Sequence, residues 1–142
     1  MTRKHRILLV EDRQQDVHLI ERALLKAGYD VDLDIAVNGR MALDRLQRTG
    51  QYKQAPLPDL VLLDLIMPIL GGIEVLQEMK QDPLLRLMPV IVLTTSNSEG
   101  DVKTAHEAGC NAYIPKPVNP DQFQRVVEAL GLFWLETALL PS

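Results

Sequence analysis

Five short runs of Val, Ile and Leu alternate with five segments of helical periodicity, and this alternation predicts an α/β fold. The expected architecture is a doubly wound, five-stranded parallel sheet of order 2-1-3-4-5 with five helices on its two faces. Two further observations support it. Three of the runs (Ile7–Val10, Leu60–Leu63 and Val90–Leu93) are continuous instead of alternating, as strands covered on both faces are. The 142-residue length is that of one domain of this type.

The first run, Ile7–Val10, is followed from about Arg13 to Ala27 by Val17, Ile20 and Leu24 at helical spacing, and Gly28 stands where that helix should stop. Val31–Val37 alternates apolar residues with Asp32 and Asp34, which predicts a strand with one wetter face. A second helix opens near Asn38-Gly39 and carries Ala42, Leu43 and Leu46. The stretch Gln51–Pro58 (QYKQAPLP) reads as a polar, proline-containing loop leading to the third strand. After Gly71-Gly72 a third helix places Ile73, Leu76 and Met79 on one face and ends before Pro83. Following the fourth strand, Ser98 with Asp101 resembles a capping box, and Val102, Ala105 and Ala108 lead on to Gly109. Ala112–Ile114 is the fifth strand. The last helix takes Asn119 as N-cap and Pro120 at its first position, with Phe123, Val126, Val127, Leu130, Phe133 and Trp134 along one stripe.

Composition narrows the function. Apolar residues make up 46% and charged residues 24% of the chain, which suits a globular fold and not a disordered one. Fifteen basic against nineteen acidic residues give a net charge of −4, and no basic run occurs, so nucleic acid is not an expected partner. The basic start (Arg3, Lys4, Arg6) precedes only Ile7–Val10 before Glu11 and Asp12, too short for a secretory core. No stretch approaches the ~20 apolar residues of a membrane span. A single cysteine, Cys110, fits a reducing compartment. These features predict a soluble, cytoplasmic protein of one domain, residues 1–142, with a core of about 5–130, an extension over 131–142 and no output module.

In a 2-1-3-4-5 sheet the functional crevice lies at the carboxyl ends of the strands, where the strand order switches. There the first strand ends in Glu11-Asp12 and the third in Asp64. Like charges ~4 Å apart repel by about 4 kcal/mol at an effective dielectric near 20, so three converging carboxylates call for a counter-charge, and hard oxygen ligands suit Mg²⁺. The fourth strand ends in Thr94, and the fifth leads to Lys116. Acids, metal, hydroxyl and lysine together form a site for phosphoryl transfer, with a carboxylate as acceptor. Taken singly, Glu11 or Asp12 reads equally well as a helix cap and Lys116 as a solvated turn residue; the coincidence of four strand ends favours the site.

The segments ILLVED (Ile7–Asp12), DLVLLDLIMP (Asp59–Pro68), VIVLTTS (Val90–Ser96) and AYIPKP (Ala112–Pro117) together resemble those of a response-regulator receiver domain, from about His5 to Leu130. The resemblance implies the flavodoxin-like version of the fold and a non-enzymatic switch: a sensor histidine kinase passes a phosphoryl group to Asp64. It further implies Mg²⁺ held by Asp12, Asp64 and the backbone carbonyl of Ile66, with Glu11 acting through water. Thr94 would swing to the phosphoryl oxygen, Lys116 would pair with it, and Tyr113 would turn inward. The bond from Lys116 to Pro117 would be cis. Ile66 departs from the polar residue common at its position, which bears on how fast the phosphoryl group hydrolyses. Thr95 is bulkier than the usual alanine.

The tail Leu132–Pro141 (LFWLETALLP), with VEDRQQDV, the loop before Pro58 and LTTS, is similar to that of single-domain regulators that partner phytochrome-type kinases. That likeness implies a homodimer formed at the C-terminal end, with Phe133 and Trp134 as contacts; the other reading folds them back on the core. Two further functions compete. An aspartate-nucleophile phosphatase would want a second Asp where Ile66 stands. A degenerate receiver, acting as a phosphorylation-independent binding or dimerisation module, would not need the full set of Asp12, Asp64, Thr94 and Lys116.

Overall fold

The chain forms β1 (His5–Val10), α1 (Gln14–Ala27), β2 (Val31–Ala36), α2 (Gly39–Gln47), β3 (Leu60–Leu63), α3 (Gly72–Gln81), β4 (Val90–Thr94), α4 (Glu99–Glu107), β5 (Ala112–Pro115) and α5 (Pro120–Leu130). The structure, a computed structural model, describes residues 5–116 and 119–131. All strand pairs are parallel and the order is β2-β1-β3-β4-β5. Alternate residues of the central strands feed two cores. Leu8, Val10, Val61, Leu63 and Val92 pack under α2, α3 and α4 against Leu43, Leu46, Leu76 and Met79. Ile7, Leu9, Leu62, Ile91 and Leu93 pack on the other face against Val17, Ile20 and Leu24 of α1 and Phe123 and Val127 of α5. Each such side chain contributes about 1.5–3 kcal/mol on burial, so these two layers hold the sheet's polar edge in place.

Caps set where the helices begin. Asn38 Oδ1 accepts from Met41 N at 2.8 Å, Ser98 Oγ from Asp101 N at 3.1 Å and Asn119 Oδ1 from Gln122 N at 2.9 Å. Gly28, at φ 82°, ends α1 in the left-handed region. Boundaries shift where backbone pairing, not apolarity, decides. β1 begins at His5, whose N–H reaches Asp30 O at 3.1 Å. β4 and β5 each run one residue past their apolar runs because Thr94 pairs with Pro115. β2 stops at Ala36 and leaves Val37 exposed. Single 3₁₀ turns at Gly50–Tyr52 and Leu85–Leu87 are too short to show in periodicity. On α5, Phe123 and Val127 are buried and Val126 and Leu130 half-buried; Phe133 and Trp134 lie outside the described residues. Among the described residues no helix is long and apolar enough to cross a membrane.

Candidate functional site

β1 and β3 are neighbours at the switch in strand order, and their ends are tied: Asp64 N donates to Val10 O at 3.0 Å. Glu11 and Asp64 are therefore carried side by side, both buried, with Asp12 exposed at the rim. One carboxylate oxygen from each of Glu11, Asp12 and Asp64 lies within 4.8 Å of the others. Such a set of hard oxygen donors fits a divalent cation of the Mg²⁺ kind.

Asp64 is held from two sides. Its Oδ1 accepts from Thr94 Oγ1 at 2.7 Å and from Ile66 N at 3.2 Å, and its Oδ2 accepts from Lys116 Nζ at 3.1 Å. Thr94 has no exposed surface, so its hydroxyl points at Asp64 from inside the sheet. Lys116 is anchored by its backbone, whose N–H donates to Thr94 O at 2.7 Å. Gly72 lets α3 start close by: a Cβ there would sit 2.4 Å from Asp64 O. In the same loop Ile69, exposed, has φ 71°, a strained position for a β-branched residue.

Lys116 is nearly enclosed, with 4% of its side chain exposed, and its ammonium binds three carboxylates: Glu11, Asp16 at 2.7 Å and Asp64. Burial pushes the Glu11 carboxyl up to about 7, against the opposing bond from Lys116, and the Asp64 charge adds to the rise. Burial would raise Asp64 as well, but the Thr94 hydroxyl, the Lys116 ammonium and the Ile66 N–H hold it below the usual aspartate range. Burial opposes the Lys116 charge, yet its bonds to Asp16 and Glu11 carry it above the ordinary lysine value. The site thus keeps Asp64 ionised while Glu11 exchanges its proton at about pH 7.

Tyr113 is half-buried, and its hydroxyl donates to Ser96 O at 2.7 Å; burial raises its pKa against the opposing bond to Ser96, and the Asp101 charge adds to the rise. The Ser96 hydroxyl in turn binds Asp101 in the first turn of α4. A continuous path of contacts therefore joins Asp64, Thr94, the loop after β4, Tyr113 and α4. Thr95 is exposed. The structure brings together Glu11, Asp12, Asp64, Thr94 and Lys116, with the Ile66 backbone at Asp64, as the strand-end argument expects. Pro117 lies outside the described residues. Asp16 is the site residue that sequence reasoning missed; its signal was the final Asp of EDRQQD, in the first turn of the helix leaving the crevice.

The response regulator receiver domain model matches residues 7–128. The chain belongs to the response-regulator receiver family. This receiver is 43% identical over 136 residues to the response regulator Rcp1 of Synechocystis sp., covering 96% of this chain and 92% of that protein. Among solved structures, it resembles the phosphorylated cyanobacterial phytochrome response regulator RcpA with a TM-score of 0.95 and 40% identity, over 99% of this chain and 100% of that one. The Mn²⁺-bound form of Rcp1 matches with a TM-score of 0.92 and 42% identity, over 97% of this chain and 99% of that one. The sheet order and flavodoxin-like receiver fold expected from the sequence are those of the family, and nothing found favours the degenerate alternative.

Proposed function

We propose that Asp64 is the phosphoacceptor of a two-component pathway and that Glu11, Asp12, Asp64 and the Ile66 carbonyl hold the Mg²⁺ the transfer needs. The observation that carries this reading is the junction at Asp64: an ionised carboxylate held by the Thr94 hydroxyl and the Lys116 ammonium, beside two further acids. In the transfer, the P–N bond of a phosphohistidine breaks, a P–O bond to Asp64 forms, and the histidine nitrogen keeps the electron pair. When bound, the metal supplies positive charge against the phosphoryl oxygens. The chain's own residues do the rest. Lys116 neutralises a phosphoryl oxygen, Thr94 exchanges its bond to Asp64 for one to that oxygen, and the loop carrying Ser96 follows Thr94 and moves Tyr113 and α4. The protein acts as a switch and not as a catalyst of turnover.

The likeness to RcpA, a cyanobacterial phytochrome response regulator solved in its phosphorylated form, supports a phytochrome-type sensor histidine kinase as the donor. Mn²⁺ in the Rcp1 structure supports a divalent ion at the acidic cluster. The reading has the protein work in the cytoplasm, with Cys110 as a free thiol, and as a homodimer through its C-terminal end, with Phe133 and Trp134 at the contact. Intact-mass measurement after incubation with acetyl phosphate tests the chemistry. One phosphoryl adduct that requires both Mg²⁺ and Asp64, and is absent from Asp64→Asn, is expected; an adduct on Asp64→Asn overturns the assignment. For the dimer, Trp134→Ala should sediment at lower mass at the same concentration, and unchanged sedimentation counts against that contact.

A further inference from the structure

We propose that Asp16 is a positioning residue for Lys116: an anchor on α1 that keeps the ammonium at the acceptor once the other carboxylates are engaged. This rests on the reading of the site given above. An ammonium has three N–H donors, and at Lys116 they face Glu11, Asp64 at 3.1 Å and Asp16 at 2.7 Å. Two of those three partners, Glu11 and Asp64, also belong to the cluster that fits a divalent ion. A cation bound there shares its carboxylates with the ammonium, and the two positive charges repel. Asp16 stands outside that cluster, in the first turn of α1, and its other cationic neighbour, Arg13 Nε, is 4.0 Å away and largely exposed.

Lysine reaches the site on a flexible four-carbon stem, so its position is set by what its head binds. With Asp16 present, Lys116 can yield Glu11 and remain beside Asp64. Without Asp16, the ammonium rests on Glu11 and Asp64 alone and competes with the metal for both. The contact also fastens the start of α1 to the end of β5, across 100 residues of sequence.

Mg²⁺ titration by calorimetry, on the full chain without any phosphodonor, tests this as a double-mutant cycle. Asp16→Asn should weaken Mg²⁺ binding about tenfold, a coupling of the size neighbouring charged groups show. In a Lys116→Met background the same substitution should cost several-fold less, because the ammonium that Asp16 restrains is gone. Asp16→Glu, which keeps a carboxylate in reach, should recover most of the affinity. An unchanged affinity in Asp16→Asn overturns the proposal, and so does an equal loss in both backgrounds, which would mean that Asp16 acts on the ion through its charge alone. Should Lys116→Met not fold, Asp16→Glu decides: a loss as large as that of Asn overturns the anchor. A wild-type chain that binds no Mg²⁺ overturns the receiver reading along with this one, whereas equal losses remove only the role of Asp16.

Discussion

Lys116 and Arg45 are both buried cations bound to carboxylates, and they differ in balance. Arg45, on α2, pairs through Nε with Asp34 on the edge strand β2, one charge against one, and its buried Nη1 has no hydrogen-bond partner among the described residues. Lys116 faces Glu11, Asp16 and Asp64, with Asp12 at the rim, one charge against an acidic excess. The first pair fastens a helix to a sheet edge and leaves its charge balanced. The second leaves a surplus of carboxylate oxygen in a partly dry crevice, which only further positive charge can settle. The difference separates a structural ion pair from a site built to receive a cation and then a phosphoryl group.

The sharpest way to break that comparison is to delete each cation. Lys116→Met strands two buried acids, and removing one member of such a set costs about 3 kcal/mol or more. Added Mg²⁺ should return part of that loss, since the ion binds the native state alone. Denaturant midpoints with and without Mg²⁺ read both effects.

A second test uses Glu11. Its folded pKa of about 7 lies above the 4.5 of the free group, so its protonated form is favoured in the native state. The stability this provides is present below pH 4.5 and is lost as pH rises through about 7. A metal needs the carboxylate, so Mg²⁺ affinity should fall about tenfold per pH unit below 7, with one proton released per ion, and level off above it. Calorimetry in buffers of different ionisation heat counts that proton. Mg²⁺ affinity in Glu11→Gln should lose this slope.

Arg45→Met is the smaller, contrasting perturbation. Asp34 keeps 48% of its side chain in solvent, so its charge is not stranded, and the cost should be about 1 kcal/mol. Here Mg²⁺ should add no more than it adds to wild type. The smallest effect concerns the strained loop after Asp64. Ile69 at φ 71° is exposed, whereas Arg48 at φ 56° closes α2 as an ordinary C-cap. Ile69→Asn should stabilise by about 1 kcal/mol or less, because Asn tolerates the left-handed region. Thermal unfolding of the two variants measures both.

Much of this was legible in the residues. β3 reads directly as Leu60–Leu63 because a strand buried on both faces has no polar residues to break its run. Asn38, Ser98 and Asn119 announce their helices through side chains that cap only one way. The cluster was legible for a topological reason: order 2-1-3-4-5 brings Glu11, Asp12, Asp64, Thr94 and Lys116 to one edge. What stayed hidden depends on long-range geometry. Asp16 reads as an ordinary acid in a helix's first turn, favoured there by the dipole, until β5 brings Lys116 against it. Arg45 reads as a surface residue until Asp34 on the edge strand turns it inward.

The central claim is that the acidic excess around Lys116, and not the balanced pair at Arg45, is what takes a divalent cation. Thermal unfolding of wild type, Asp64→Asn and Arg45→Met, each with and without Mg²⁺, tests it directly. The account predicts a Mg²⁺-dependent rise in midpoint for wild type and an equal rise for Arg45→Met, with little or none for Asp64→Asn. An equal rise in all three proteins, or none in wild type, would contradict it.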